Sequence, residues 1–248
     1  MVLLEKERIE FLGGGIKIIV SDRHKFWTDT ILLANFASPK KDDIACDLGS
    51  GCGTIPLIWL RNGLTKRVDA VEIQEDACSM LRRSIELNSL EGRIQVYNED
   101  IRMTGDILPR SGYDLVVCNP PYKASGTGIV SSEQSDVIAR HESLCTTDDV
   151  TAAANVLLGF GGRLCMCQRP ERLPDVMLSM RKNNIEPKRL RFVQQRPDKA
   201  PKLFLIEGRR SGNPGGLKVE PVLFIEGENK EYSEEMIRIY GKYKEEYL

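Results

Sequence analysis

An apolar run, Asp114-Leu115-Val116-Val117-Cys118, breaks off into Asn119-Pro120-Pro121-Tyr122. Two prolines cannot continue a strand ladder, and each restricts the residue before it to an extended conformation. The result is a stiff corner that presents one side-chain amide and one aromatic ring at fixed places. A second stretch, "DLGSGCGT" from Asp47 to Thr54, puts glycines at 49, 51 and 53 between an apolar segment and an amphipathic one. Such glycines let the backbone turn tightly and approach a ligand, with amides at a helix N-terminus expected to face it. A dinucleotide fingerprint would read G-x-G-x-x-G, but position 54 is threonine. The spacing here is G-x-G-x-G, with Asp47 two residues before the first glycine.

Two further acids close apolar segments. Glu72 ends "VDAVEI", and Asp100 ends "IQVYNED". The carboxyl ends of neighbouring strands in a doubly wound sheet surround one crevice. A carboxylate at the second strand end can accept both hydroxyls of a ribose, and one at the third can accept from an exocyclic amine. Metal chemistry has no such support. The seven cysteines are scattered, mostly within apolar segments, and the chain has two histidines. Cys165 and Cys167 in "RLCMCQR" lack zinc-binding spacing and are expected on opposite faces of a strand. Reduced core thiols in a cytoplasmic protein are the expectation, with no metal.

These residues need elements to position them. From about residue 43 apolar strands alternate with amphipathic helices: "DIACDLG", "RVDAVEI", "RIQVYNED", "YDLVVCN" and "GGRLCMCQ" as strands, "TIPLIWLRN", "EDACSMLRRSIELN" and "DDVTAAANVLLGF" as helices. The alternation predicts an α/β protein with a parallel sheet covered on both faces. Upstream, "ERIEFLGGGIKIIVS" reads as a hairpin around Gly13-Gly14-Gly15, and "FWTDTILLANFA" as a helix capped by Thr28 or Asp29. Downstream, after the helix "LPDVMLSMRKN", the strands "KRLRFVQQ" and "KLFLIEGRR" are too closely linked to be parallel and should pair antiparallel. A further strand, "VLFIEGE", and a surface helix in "EEMIRIYGKYKEEYL" complete the chain. The expected organisation is an N-terminal hairpin and helix over 1–40, a main domain over 41–225 and a helical tail over 226–248. With 248 residues, 41% of them hydrophobic and 29% charged, the chain can bury a sizeable core. No apolar stretch reaches membrane-spanning length, and "MVLLEKER" is too short for a secretory signal.

Together "DLGSGCGT", "VEI", "NEDI" and "NPPY" resemble the class I S-adenosylmethionine-dependent methyltransferases, and "NPPY" resembles their amino-methylating branch. The stretch "NPPYKASGTGIVSSEQSDVIARHE", with "FWTDTILLANFA" ahead of the glycine loop, is similar to the valine-tRNA adenine-N6-methyltransferase family, which acts on the adenine beside the anticodon. The resemblance implies a Rossmann-like fold, a seven-stranded mostly parallel sheet with an antiparallel strand near the C-terminus and helices on both faces. It implies S-adenosyl-L-methionine as cofactor and S-adenosyl-L-homocysteine as product. The Gly49, Gly51 and Gly53 backbone would hold the methionine portion, Glu72 the ribose and Asp100 the adenine amine, with Asp47 and Ile101 also among the cofactor contacts; Phe26, Thr28 and Asp29 would close over the methionine end. Asn119 and Pro120 would accept from the two N–H bonds of the substrate amine, with Tyr122 and Pro121 against the base and Arg140 and His141 following in the substrate loop.

The net charge is −1, so any footprint for a phosphate backbone must be local. From Arg181 to Lys218 there are eleven Lys or Arg against three acids. Lys188, Arg189, Arg191 and Arg196 in this stretch are expected to contact RNA, most naturally tRNA. A monomer or weak homo-oligomer is expected. The alternatives are methylation of guanine N2 in ribosomal RNA, of a protein glutamine, and RNA binding without catalysis. Glutamine-methylating relatives carry a helical domain before the glycine loop, whereas 46 residues precede Asp47 here and part of them reads as strands.

Overall fold

The computed structural model describes residues 3–61, 63–120, 145–227 and 231–240. Strands β3 (Ile44–Leu48), β4 (Arg67–Glu72), β5 (Ile94–Asn98), β6 (Tyr113–Cys118), β7 (Leu158–Gln168), β8 (Ile185–Gln194) and β9 (Pro201–Arg210) form one sheet in the order β8-β9-β7-β6-β3-β4-β5. From β5 to β7 every pairing is parallel, while β9 lies antiparallel between β7 and β8. These are the expected seven strands. Two short additions, β10 (Lys218–Val219) and β11 (Leu223–Phe224), extend the outer edge of β8 in parallel and reduce the strand expected in "VLFIEGE" to two residues.

Both faces of the sheet are covered, so its central strands are nearly continuous apolar runs. Alternate residues serve opposite faces. Ala45, Ala70, Leu115, Val117, Cys165 and Cys167 join the core beneath helices α1 (Thr28–Ala37), α2 (Thr54–Arg61) and α3 (Glu75–Leu87). Cys46, Leu48, Val71, Val116, Leu164 and Met166 join the core beneath α5 (Thr147–Leu157) and α6 (Leu173–Lys182). Cys165 and Cys167 therefore share a face, contrary to expectation, because side chains two apart on a strand point the same way. The short helix α4 (Thr104–Ile107) precedes β6. Helix α5 stops at Leu157, and the following "LGF" is already strand β7.

The hairpin β1 (Glu7–Phe11) and β2 (Lys17–Ser21) forms as expected and docks on α3. The exposed edge of β2 is satisfied by side chains of that helix. Ser84 Oγ accepts from the Ile19 amide at 2.9 Å, and Asn88 exchanges bonds with both backbone groups of Lys17. Arg83 clasps Glu7 through two 2.6 Å bonds and holds its carboxyl below the usual range.

Helix α1 is fixed along its whole length. Trp59 of α2 donates its indole N–H to the Ala34 carbonyl at 2.9 Å. At the C-terminal end Arg163 of β7 donates to the Ala37 carbonyl and Arg189 of β8 to the Phe36 carbonyl, at 2.9 and 2.7 Å. Cations at that end also suit the helix dipole. At the other end Tyr240 of α7 (Glu234–Tyr240) donates to Thr28 Oγ1 at 3.2 Å. The first helical residue is Thr28 and the cap position is Trp27, which makes no side-chain cap bond; neither Thr28 nor Asp29 caps the helix. Met236 and Ile239 of α7 belong to the same core as α1.

Candidate active site

The chain builds outward from β3 in both directions, to β4 and β5 on one side and to β6 and β7 on the other. That reversal opens a crevice at the carboxyl ends of β3 and β6, where ligands bind in open α/β sheets. Leu48 pairs with Cys118, so Gly49 and Asn119 leave the sheet side by side. The two stretches that carry candidate chemistry thus meet at the switch point.

The glycine loop is held from below. The Gly49 and Ser50 amides donate to the Val71 carbonyl at 2.8 and 3.1 Å, Gly51 donates to Glu72 Oε2 at 2.9 Å, and Gly53 donates to the Ser50 carbonyl. These four amides bind β4 and the loop itself. What the glycines supply is shape. Gly49 and Gly51 have φ of +74° and +53°, and a Cβ on either would project into open space. Gly53 differs: its φ is +89°, and a Cβ there would lie 2.1 Å from Leu81 Cδ1, so its lack of a side chain serves packing against α3.

Glu72 is buried at the end of β4, its two oxygens accepting from the Gly51 and Gln74 amides at 2.9 Å each. A carboxylate has room for further donors on both oxygens. Asp47, at the end of β3, is almost completely buried; its Oδ2 and the Ser50 hydroxyl have no hydrogen-bond partner among the described residues. Burial, reinforced by the Glu72 charge, pushes the Asp47 carboxyl up to about 8. A buried polar atom without a partner is costly. An incoming cationic donor would satisfy it, and the open space over Gly49 and Gly51 admits one. Acceptors of this kind suit the ammonium and ribose hydroxyls of an amino-acid-bearing sulfonium cofactor, and the residues fit it.

Asp100 follows β5 and sits at the same edge, but its carboxylate is already engaged. It accepts from the Arg102 amide at 2.9 Å and is clasped by the Arg102 guanidinium, which holds it below the usual range. Ile101 is buried in the same apolar cluster as Val71 and Cys118. Phe26 packs on the core of α1, and Thr28 is the partner of Tyr240. Asp29 is brought to Asn119 instead: Asn119 Nδ2 donates to Asp29 Oδ2 at 3.3 Å and to Thr30 Oγ1 at 3.1 Å. Thr30 was not singled out from the sequence, where a threonine inside a helix carries no signal. Pro120 is half-buried beside Asn119. Pro121, Tyr122, Arg140 and His141 lie outside the described residues. The Cys118 thiol, next to Asn119, is buried and pushed well above its ordinary range, which makes it no nucleophile.

The cationic stretch is distributed differently from its appearance in the sequence. Lys188 donates to the carbonyls of Asn213 and Gly215; Arg189 pairs with Glu207 and Glu220, and Arg191 with Glu235; Arg196 pairs with Asp198 and Glu226. Four of the cations in the stretch, Lys182, Arg189, Arg191 and Arg196, have acid partners from outside it (Asp148, Glu220, Glu235 and Glu226). Lys188, Arg189 and Arg191 lie within β8, whereas Arg196 stands beyond its carboxyl end, on the crevice side of the sheet. Among the described residues, no helix is long and apolar enough to cross a membrane, and no group of three or more His, Cys, Asp or Glu could hold a metal.

Comparison with known proteins places this geometry. A predicted O-methyltransferase of Agrobacterium tumefaciens shares the fold, with a TM-score of 0.69 at 18% identity over 87% of this chain and 96% of that one. So does a geranyl diphosphate C-methyltransferase of Streptomyces coelicolor solved with S-adenosyl-L-homocysteine, with a TM-score of 0.54 at 12% identity over 72% and 80%. Among curated proteins, the tRNA1(Val) (adenine(37)-N6)-methyltransferase of Parabacteroides distasonis is 30% identical over 87% of this chain and 88% of its own. Its namesake in Pectobacterium carotovorum is 29% identical over 84% and 82%. The model of the methyltransferase small domain matches residues 27–166, which include α1, the glycine loop, Glu72, Asp100 and Asn119. The chain belongs to the methyltransferase small domain family.

Proposed function

We propose that the protein methylates N6 of an adenine in RNA from S-adenosyl-L-methionine, its substrate being the adenine beside the anticodon, position 37, of tRNA1(Val). The activity for which these relatives are named supports the choice of substrate. The observation that carries the chemistry is the meeting of Asn119 with the glycine loop at the sheet's switch point.

The cofactor supplies an electrophilic methyl group on a sulfonium, so the chain needs no metal for activation. Asp47 and Ser50 would take its amino-acid end in the cleft over Gly49 and Gly51, Glu72 its ribose, and Ile101 its adenine, with Asp100 accepting from the adenine amine on a lone pair that the Arg102 clasp leaves over. An exocyclic amine is a poor nucleophile because its lone pair is delocalised into the ring. The Asn119 side-chain oxygen and the Pro120 carbonyl would accept its two N–H bonds, favouring pyramidal nitrogen and offsetting the positive charge that grows on it. Acceptors held in place before reaction stabilise that charge without reorganisation. No dedicated base is required, since the methylated amine can lose its proton to water. The target base must leave its stack, which a loop adenine does at low cost. Trp27, exposed at the start of α1 with Lys25 over its ring at 4.8 Å, offers a flanking base a stacking surface two residues from Asp29. Arg196 is the expected cation best placed to reach the RNA backbone.

Nucleoside mass spectrometry of RNA from a deletion strain tests the proposal. Loss of N6-methyladenosine from tRNA(Val), restored by the gene, is the expected result. Loss of N2-methylguanosine from ribosomal RNA, or an unchanged RNA profile with an unmethylated protein glutamine, would replace it.

A further inference from the structure

We infer that Asp29 and Thr30 act as positioning residues for Asn119, fixing which end of its amide meets the substrate. The inference rests on the proposed role of Asn119 as an acceptor.

The two ends of an asparagine amide are nearly identical in shape, so packing alone does not choose between them; hydrogen-bond chemistry does. At Asn119 the choice is forced. One end of the amide lies 3.3 Å from Asp29 Oδ2 and 3.1 Å from Thr30 Oγ1. An ionised carboxylate only accepts, so the end facing it must be the NH2 group. Turning the amide over would set its oxygen against the carboxylate. A hydroxyl can donate or accept, so Thr30 strengthens the contact while Asp29 sets its direction. With Nδ2 held against α1, an amine that reaches Asn119 meets Oδ1, and an acceptor is what the chemistry requires.

Asp29 is itself held. It is buried, and its Oδ1 accepts from the Thr30 amide at 2.9 Å. Helix α1 cannot slide away, because Trp59, Arg163, Arg189 and Tyr240 fix it along its length. Asp29 was expected at the methionine end of the cofactor; its contact with Asn119 assigns it to the substrate side.

Steady-state kinetics with tRNA, with cofactor affinity measured separately by calorimetry, tests the inference. Asp29→Asn keeps the shape but lets either end of Asn119 bond, so kcat should fall about ten-fold to hundred-fold. Cofactor Kd and the KM for tRNA should stay within about two-fold. Thr30→Val should lower kcat by about three-fold to ten-fold, and Thr30→Ser should restore it. Because Asp29 acts through Asn119, Asp29→Asn combined with Asn119→Ala should lose no more than Asn119→Ala alone. A weakened cofactor Kd with saturated kcat intact, or losses that multiply in the double variant, would overturn the inference while leaving the activity in place. Full turnover by Asn119→Ala would instead remove the catalytic reading on which it rests. Should Asp29→Asn fail to fold, the Thr30→Val and Thr30→Ser pair decides the same question.

Discussion

The Gly51 amide donates to Glu72 Oε2 at 2.9 Å, tying the glycine loop of β3 to the end of β4. The same carboxylate takes the Gln74 amide on its other oxygen. Glu72 therefore shapes the loop in addition to its proposed role as acceptor for a ribose. Glu72→Gln has one oxygen for two amide donors and must set its own NH2 against the second. Bonds to a charged acceptor contribute about 1.5–3 kcal/mol each, so denaturant unfolding should show a loss of about 1–3 kcal/mol. Calorimetry should show cofactor affinity lowered about ten-fold or more. An unchanged Kd in a destabilised variant would confine Glu72 to the loop.

Asp47 gives a pH signature. Its carboxyl is raised from its ordinary value of 3.8 to about 8, chiefly by burial, so the folded protein without ligand prefers it neutral. The stability it contributes is complete below about pH 4 and is lost as pH rises through about 8. Asp47→Asn is neutral throughout, and its unfolding free energy should decline less than that of the parent protein between those limits. A cationic ligand group beside Asp47 favours the carboxylate. Cofactor binding at pH 7 should therefore release up to about one proton, seen as a dependence of calorimetric heat on the buffer's ionisation enthalpy. Asp47→Asn should remove that dependence, and a parent protein without it would show that the carboxyl stays protonated on binding.

The glycines of the loop are separable. Gly53→Ala meets Leu81 and a φ of +89° together, and should cost about 2–4 kcal/mol by thermal or denaturant unfolding. Much of that cost should vanish in a Leu81→Ala background, leaving about 1 kcal/mol of backbone strain. Gly51→Ala meets only the strain, at about 1 kcal/mol, but its methyl group enters the cleft and should weaken cofactor binding about ten-fold. Equal stability losses at both positions would mean that Leu81 yields without cost.

The parts of the fold legible in the sequence are those set by local pattern. The glycine turn of the hairpin, the strand-helix alternation after residue 43 and the antiparallel pairing of β8 with β9 all follow from periodicity and connection length. The meeting of Asn119 with the glycine loop was legible because both stretches end parallel strands. What escaped depends on contacts distant along the chain or on geometry that pattern does not encode. The bond from Asn119 to Asp29 spans ninety residues, and the pairing of Arg191 with Glu235 spans forty-four. A count of charges within one segment saw the cations of β8 without acids that arrive from α7 and the last loops. The Arg102 clasp on Asp100 arises from a tight turn two residues long, and the inward use of the loop amides depends on where β4 ends.

Arg191 and Glu235 form a two-bonded ion pair, 2.7 Å at each contact, that ties α7 to the sheet. Arg191→Glu sets two carboxylates together and should lower stability by about 1–3 kcal/mol, loosening α7 first. Exchanging the charges, Arg191→Glu with Glu235→Arg, should recover most of it. Native-state hydrogen exchange in α7 reports both changes. If stability returns in the exchanged variant while tRNA affinity stays low, Arg191 also contacts RNA; if both return, its role is confined to the fold.

The chain has two tryptophans, and their surroundings make them separate reporters. Trp59 is fully buried with its indole N–H on the Ala34 carbonyl, whereas Trp27 is 64% exposed. Stacking of an RNA base on Trp27 should quench the long-wavelength, solvent-exposed part of the emission and leave the Trp59 part unchanged. Trp27→Phe should abolish the response while retaining most of the affinity, because a phenyl ring still stacks. Trp27→Ala should weaken RNA binding by about 1–3 kcal/mol without altering the salt dependence, since stacking releases no counterions. Lys25→Ala should act in the opposite sense, reducing the salt slope by about one while leaving the quenching in place. Binding of tRNA detected by filter retention with no change in emission would place the flanking base away from Trp27.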